Sequence, residues 1–238
     1  KYLANFTTPA FANHTYALYG NAYTYPIEVV QKREVCYFEG DERHFLTLFK
    51  SEAFLAQKQI LTDYIFGDYL YALHPDSFEN LIFAEMEFHA NKNDKLYDFS
   101  GVILRYAKAF ESECYEFVRQ IVRILGAKDS AILELKFGVG SKMKEVANLT
   151  HEKAMLGAYL HLLDNLLQKS IKAHLSAEIV AFCARFTKDI AFMQKARNPV
   201  AHSDFARFEM ANAVRDKIIG VGQSGVMVEM LKAKELLK

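Results

Sequence analysis

Residues 195–204, which read Lys-Ala-Arg-Asn-Pro-Val-Ala-His-Ser-Asp, contain the side chains whose types and spacing are best suited to chemistry. A histidine such as His202 can move protons to and from a substrate near neutral pH. The guanidinium of Arg197 can hold a phosphate through two parallel hydrogen bonds and stabilise negative charge that grows in a transition state. Asn198 follows Arg197 and can orient either of the other two side chains. Together the three residues suggest acid–base chemistry on an anionic substrate.

A long amphipathic helix is predicted to carry Arg197. Apolar residues recur at intervals of three and four positions over residues 176–197, as on one buried face of a helix. These residues are Ile179, Phe182, Cys183, Phe186, Ile190 and Met193. Arg197 follows Met193 by four positions and therefore continues the same face. A buried guanidinium is costly without an anionic partner, so the sequence predicts a bound anion or a buried carboxylate beside it.

Pro199 predicts a break between two helices. Proline disfavours helical geometry at the preceding residue, and Asn followed by Pro is typical of an N-cap and a first helical position. One helix is therefore expected over 176–197 and another over 199–219. His202 would lie in the first turns of the second helix, facing the same pocket as Arg197. The free amides of that helix start would add an anion-binding site.

Composition restricts the class of protein. The 238 residues are about half apolar, enough for one large domain or two small ones. Lys plus Arg and Asp plus Glu both number 29, so any nucleic-acid contact must be local rather than driven by a global basic field. Cys36, Cys114 and Cys183 form no CxxC pair, which is typical of reduced thiols in a cytoplasmic protein. The sequence contains no apolar run long enough for a membrane span and no signal peptide, so no membrane association is expected.

The chain changes character near residue 40. Residues 1–40 have few charges and many Tyr, Phe, Thr and Asn, and they predict a small β or irregular extension. A hairpin is expected over residues 16–25 and a short strand over 35–38. Because the chain begins at Lys1 rather than Met, we expect a fragment or processed form, with this extension ending a missing upstream domain.

From residue 41 the pattern predicts a mainly α fold, with a helical domain over 41–220, a C-terminal helix over 221–238 and strands confined mainly to the extension. The predicted helices cover residues 41–58, 63–73, 76–90, 99–125, 141–148, 151–169, 176–197, 199–219 and 226–238. The expected helix starts are Asp98 or Ser100, Thr150 and Ser176, and the expected ends are Gly126 and Gly220. Four long helices joined by short loops form a bundle.

Other candidate sites have simpler explanations. Residues 137–142, Phe-Gly-Val-Gly-Ser-Lys, lack the spacing of a phosphate loop and are better explained as a glycine turn before a helix capped by Ser141. Glu85 with His89 shares a helix face, as metal ligands can, but without a second ligand pair a surface pair is the better interpretation. His161 with Asp164 is interpreted in the same way. No metal or cofactor is therefore expected.

The Arg197–His202 stretch resembles the motif of the HEPN family. In that motif four to six residues, the first of them polar, separate an arginine from a histidine. Here the motif reads Arg197-Asn198-Pro199-Val200-Ala201-His202 and lies between the last two long helices of the predicted bundle. Residues 98–111, which begin Asp-Phe-Ser, also look like the opening helix of some HEPN families. The resemblance covers about residues 76–220 and implies a HEPN-like helical bundle.

The resemblance implies a metal-independent endoribonuclease with Arg197, Asn198 and His202 as catalytic residues. Attack of the ribose 2′-hydroxyl would leave a 2′,3′-cyclic phosphate and a 5′-hydroxyl end. A homodimer, or a larger assembly of dimers, is implied because a second copy completes the site in the family. Antiphage defence or toxin action, with an upstream sensor domain or regulatory partner, is the implied context. The alternatives are a non-catalytic module that binds a nucleotide or protein, and a helical adaptor in which Arg197 pairs with a buried carboxylate.

Overall fold

The computed structural model describes residues 15–18, 21–24 and 52–238, apart from residues 140–141, 203 and 221–223. Its contacts divide the chain into two compact units, Lys1–Ala56 and Gln57–Lys238. Among the described residues, no helix combines the length and apolar character needed to cross a membrane.

The first unit contains the predicted hairpin. Strands β1 (Thr15–Leu18) and β2 (Asn21–Thr24) pair antiparallel, with Leu18 opposite Asn21. The predicted strand over 35–38, the residue Cys36 and most of the predicted helix over 41–58 lie outside the described residues.

The second unit is mainly α-helical, as the sequence predicts. Short π-helical (Thr62–Phe66) and 3₁₀ (Gly67–Ala72) turns follow the first helix. The α-helices, with the first spanning the boundary between the units, are α1 (Glu52–Leu61), α2 (Pro75–Asn91), α3 (Ser100–Lys128), α4 (Ala131–Glu134), α5 (Leu156–His161), α6 (Gln168–His174), α7 (Ala177–Ala201), α8 (Phe208–Ile219) and α9 (Val226–Glu235).

Helix α3 lies at the centre of the bundle and contacts α2, α5, α6, α7, α8 and α9. The predicted apolar stripe of α7 is buried against it, and the rings of Phe117 and Phe182 meet edge to face with centroids 5.2 Å apart. Cys114 and Cys183 are free, buried thiols in this core, as predicted. Burial raises the pKa of Cys183 to about 12, which keeps the thiol protonated and unreactive.

A second hairpin corrects the prediction of a helix over 141–148. Strands β3 (Lys136–Val139) and β4 (Lys142–Glu145) pair antiparallel, with Val139 opposite Lys142, and a 3₁₀ turn (Val146–Thr150) follows. A glycine within a two-residue spacing between short strands is a sequence signal for a hairpin. The prediction that strands are mainly confined to the first 40 residues was therefore wrong here. Ser141, the predicted helix cap, lies outside the described residues.

The helix predicted over 151–169 is also divided. Residues 151–155 are not helical, α5 begins at Leu156, and a π turn (Leu162–Leu166) separates α5 from α6. Thr150 does not cap this helix, because its hydroxyl donates to the carbonyl of Ala147 within the preceding turn. The local hydrogen bond satisfies the hydroxyl, so it is not available to cap a following helix.

The two glycines predicted to end helices behave differently. Gly220 ends α8 with a φ of 84°, a conformation that favours glycine, as predicted. Gly126 lies inside α3, which continues to Lys128. A Cβ at Gly126 would lie 2.6 Å from Cδ2 of Leu133, so this glycine permits the close packing of α4 instead.

The carboxylate of Glu85 is buried, with a relative exposure of 1%, and it joins three helices. Arg215 of α8 donates to it through Nε at 2.8 Å and Nη2 at 2.9 Å, and the hydroxyl of Tyr106 in α3 donates as well. His89 approaches the same carboxylate at 3.3 Å. The predicted surface pair of Glu85 and His89 is therefore corrected to a buried, charge-paired cluster. Burial, followed by the Glu85 charge, raises the pKa of Tyr106 well above its usual range and keeps its hydroxyl a donor.

A second buried carboxylate fixes the C-terminal helix. Glu113 of α3 is fully buried and accepts from Nζ of Lys234 in α9 at 2.6 Å. Its other oxygen accepts from the backbone amide of His74 at 2.6 Å, at the start of α2. The last helix is thus held against the centre of the bundle by a charge pair as well as by apolar contacts.

We predict that Arg215→Ala lowers the free energy of unfolding by about 3–5 kcal/mol, because it leaves the Glu85 carboxylate buried without its cation. The control is Arg185→Ala, since the pair of Arg185 with Glu229 is exposed and 3.7 Å long. Its loss should cost less than about 1 kcal/mol. Urea unfolding of both variants measures the difference, and equal losses would contradict the proposed role of the Glu85 cluster.

Candidate functional site

Helix α7 does not break at Asn198, which corrects the predicted boundary between helices 176–197 and 199–219. It begins at the predicted cap Ser176, whose hydroxyl accepts from the amide of Ile179, and runs through Pro199 to Ala201. Pro199 cannot donate to the carbonyl of Lys195 and its ring crowds that carbonyl, but this disruption falls in the last turn, so no further turn of helix depends on it. Helix α8 begins only at Phe208.

His202 therefore caps the C-terminus of α7 and does not lie at the start of the next helix. Its amide donates to the carbonyl of Pro199 at 2.9 Å, and the amide of Asp204 donates to the same carbonyl at 3.2 Å. The predicted anion site on free amides of a helix start is wrong, because a helix C-terminus presents carbonyl groups with partial negative charge. Asn198 likewise is not an N-cap. Any attraction for an anion must come from side chains.

The structure brings the three predicted site residues to one cavity of about 410 Å³. The remaining lining comes from β3, from α7 and from the chain entering α5; these residues are Gly138, Gln194, Met155, Leu156, Gly157 and Ala158. A Cβ at Gly157 would lie 3.2 Å from Nε2 of Gln194, so glycine lets the start of α5 approach α7 closely. Both residues line the cavity.

Arg197 is half-buried and lacks a carboxylate partner within 4.0 Å in the described part of the chain. Its Nη1 donates to Oδ1 of Asn198 at 3.4 Å, so the asparagine orients the guanidinium. The described residues therefore give no support to an adaptor in which Arg197 pairs with a buried carboxylate. His202 is exposed. A half-buried cation and an accessible imidazole on one cavity favour an anionic ligand from solvent.

A second cavity, of about 420 Å³, adjoins the first, since Met155 and Arg197 line both. Its other lining residues come from α2, from α3, from the chain before α5 and from α5 itself; they are Asp76, Asn80, Lys108, Glu111, Ser112, Lys153, Ala154 and Tyr159. The hydroxyl of Tyr159 accepts from the amide of Ala154 at 2.8 Å, and burial raises the pKa of this hydroxyl. Sequence reasoning missed this cavity, because its residues are distant in the chain and no local pattern connects them.

The segment after His202 is attached to the start of α3 by Asp98. Its Oδ1 accepts from the amide of Ser100 at 3.0 Å, from the Ser100 hydroxyl at 2.6 Å and from the amide of Ala206 at 3.0 Å. The Ser100 hydroxyl also lies 3.0 Å from the carbonyl of Asp204. The N-cap of α3 is Phe99, which makes no side-chain cap hydrogen bond, so neither Asp98 nor Ser100 occupies the predicted position. The Asp98 carboxylate nevertheless accepts from the first amide of α3 and also fixes the chain that leaves α7. The Ser100 hydrogen bond, opposed by partial burial, lowers the pKa of Asp98.

The other sequence candidates do not assemble a site. In the phosphate-loop candidate over 137–142, residues 137–139 lie on β3 and Lys142 lies on β4, while residues 140–141 lie outside the described residues. Within the described ranges there is no group of three or more His, Cys, Asp or Glu side chains that could hold a metal ion. This applies to Glu85 with His89 and to His161 with Asp164.

Comparison with known proteins adds no relative: no protein family, curated protein or solved structure was found to match this chain.

We predict that Asp98→Ala lowers the free energy of unfolding at pH 7 by about 1 kcal/mol, the usual effect of losing a capping side chain. Because folding lowers the pKa of Asp98 from a usual value of 3.8, its contribution is complete above that value. It is lost as the pH falls through the lower pKa of the folded state. Urea unfolding at several pH values should therefore show the difference from wild type shrinking below about pH 4.

Asp98→Asn is the control for this pH dependence, because the amide oxygen can still accept hydrogen bonds but cannot titrate. A difference between wild type and Asp98→Ala that grows on acidification would contradict the assignment.

Proposed function

We propose that this protein is a metal-independent endoribonuclease that cleaves RNA at the cavity lined by Arg197, Asn198 and His202. The observation that carries the proposal is the half-buried Arg197 guanidinium, which has no carboxylate partner among the described residues and shares its cavity with an exposed histidine. A phosphodiester provides the anion that this cation lacks. The HEPN resemblance of the same residues supports the choice of RNA as substrate, and the free thiols of Cys114 and Cys183 support the cytoplasm as its location.

The proposed reaction uses the substrate's own nucleophile. An imidazole accepts the proton of the ribose 2′-hydroxyl, the 2′-oxygen bonds to phosphorus, and the bond from phosphorus to the 5′-oxygen breaks. The leaving 5′-oxygen takes a proton from an imidazolium or from water. Arg197 binds the non-bridging oxygens and stabilises their charge in the transition state. The products are a 2′,3′-cyclic phosphate and a 5′-hydroxyl end, and no redox or metal step is needed.

Two proton transfers on opposite sides of the phosphorus are difficult for one histidine, so we propose that two chains combine their sites. Met155 lines the cavity with 53% exposure, and Phe205, three residues after His202, is 56% exposed. Apolar side chains exposed beside a site favour contact with another protein surface. The HEPN resemblance implies that this surface is a second copy, in a homodimer or a larger assembly of dimers. Antiphage defence or toxin action, regulated by an upstream domain or partner, is the context we propose from the same resemblance.

For this assembly we predict that light scattering after size-exclusion chromatography gives twice the chain mass, or an even multiple of it, at micromolar concentration. Phe205→Glu should shift the mass towards the monomer and reduce cleavage, because it places charge beside the proposed interface. Tyr64→Glu is the control, since Tyr64 is 80% exposed and lines neither cavity. A monomeric wild-type protein that cleaves RNA would contradict the shared site.

For catalysis we predict that His202→Ala lowers the rate of RNA cleavage by about a hundredfold or more, because water does not replace a positioned proton-transfer group. His202 is exposed at a helix end, so its loss should cost less than about 1 kcal/mol of stability. His161→Ala is the matched control, since His161 is also exposed and lines neither cavity. Cleavage by His202→Ala at the wild-type rate would overturn the mechanism.

Two further measurements separate this activity from the alternatives. Arg197→Lys keeps the positive charge but loses the two parallel N–H donors that a guanidinium offers to a phosphate. This variant should therefore cleave more slowly than wild type and faster than Arg197→Ala. EDTA should leave the wild-type rate unchanged, whereas inhibition would indicate a required metal ion. RNA binding without cleavage by the wild-type protein would favour the non-catalytic binding module.

A further inference from the structure

The second cavity contains cations that the proposed reaction does not use. Lys108 projects from α3 and Lys153 from the chain before α5, and both line this cavity together with Arg197. Lys108 is exposed, and among the described residues it has no hydrogen bond or ion pair. Lys153 lies 3.5 Å from the hydroxyl of Ser112 and 5.8 Å from the ring of Tyr115, contacts that hold its chain against α3. Neither lysine is neutralised by an ion pair with the described residues.

Two carboxylates share the cavity, so its chemistry is not simply that of a basic patch. Asp76 lies in the first turn of α2, where helix polarity favours negative charge, and its Oδ2 is 3.8 Å from Nδ1 of His74. Glu111 is half-buried on α3 and makes no hydrogen bond or ion pair to the part of the chain that the structure describes. A carboxylate is only an acceptor, and the exocyclic amines of nucleobases are donors that match it. The lining therefore offers cations for phosphate and acceptors for a base.

We propose that this second cavity binds the nucleotide next to the scissile phosphate of a single-stranded RNA, with Lys108 and Lys153 contacting its phosphate and Glu111 accepting from its base. The inference rests on the proposed function, which places the scissile phosphate at Arg197. Arg197 lines both cavities, so a strand bound in one continues directly into the other. Two separate cavities that share part of their lining suit splayed nucleotides, whereas double-stranded RNA is recognised across a wide and shallow groove.

The test measures binding separately from cleavage. A short fluorescent oligoribonucleotide with 2′-O-methyl riboses has no 2′-hydroxyl nucleophile and cannot be cleaved by the proposed reaction. Its affinity is measured by fluorescence anisotropy over a range of salt concentrations, with the wild-type protein and with the double variant Lys108→Ala/Lys153→Ala. For single strands the logarithm of the affinity falls with the logarithm of salt by about 0.7 per phosphate contact. Because both lysines contact the phosphate of one nucleotide, the double variant should reduce this slope by about 0.7.

The matched control is Lys169→Ala/Lys232→Ala, which also removes two exposed lysines, neither of which lines the two cavities. It should keep the wild-type slope, and circular dichroism should show that both double variants remain folded. Glu111→Gln should change the ranking of oligonucleotides that differ only in base. A duplex of the same sequence should bind the wild-type protein more weakly than the single strand.

The outcomes distinguish the two proposals. If wild type cleaves unmodified RNA but both double variants keep its salt slope, the subsite is wrong and the nuclease function stands. If wild type binds with a slope that depends on Lys108 and Lys153 but never cleaves, the subsite stands and the nuclease function is wrong. Tighter binding of duplex than of single strand would overturn the assignment of a single-stranded substrate. The absence of any RNA binding would overturn both proposals.

Discussion

The buried carboxylate of Glu85 constrains the packing of α2, α3 and α8 in one interaction. A carboxylate that is 1% exposed is stable only with full compensation, and Arg215 and Tyr106 supply it from the two neighbouring helices. Because the two bonds from Arg215 are parallel, they fix both the distance and the rotation of α8 relative to α2. Directional bonds of this kind specify one arrangement of helices whose apolar faces alone would tolerate several.

The position of the candidate site follows from this arrangement. Helix α7 packs on α3 through aromatic rings, and its last turn carries Arg197 and Asn198 to the edge of the bundle. The chain that leaves α7 must reach the start of α8, and the position of α8 is fixed by the hydrogen bonds from Arg215 to Glu85. Asp98 holds that connecting segment at Ala206, against the start of α3. His202 is therefore held between a rigid helix end and an anchored loop, as the preorganisation of a site requires.

The sequence predicted correctly those features that depend on residues close together in the chain. The three-and-four spacing from Ile179 to Met193 predicted the buried face of α7, and Ser176 and Gly220 were recognised at helix ends from their own chemistry. The end of α7 was misplaced because a proline ends most helices but not all of them, and a local rule cannot tell a proline in the last turn from a break. The burial of Glu85 and the second cavity could not be predicted, because their partners meet only through tertiary packing. Arg215 lies 130 positions from Glu85.

His202 lies at the C-terminus of α7 rather than at the start of a helix, and this changes the electrostatics of the candidate site. A helix start would have supplied amide donors to an anion, whereas the C-terminus of α7 supplies carbonyls that repel it. An anion bound beside His202 must therefore be held by side-chain cations close enough to outweigh the helix end. Arg197 provides one, and the adjoining cavity adds Lys108 and Lys153. The same cavity also contains Asp76 and Glu111, but its three cations outnumber these two carboxylates, and none of the three has an ion-pair partner among the described residues. In a chain with no net charge, this local excess of positive charge would favour a bound anion at this place.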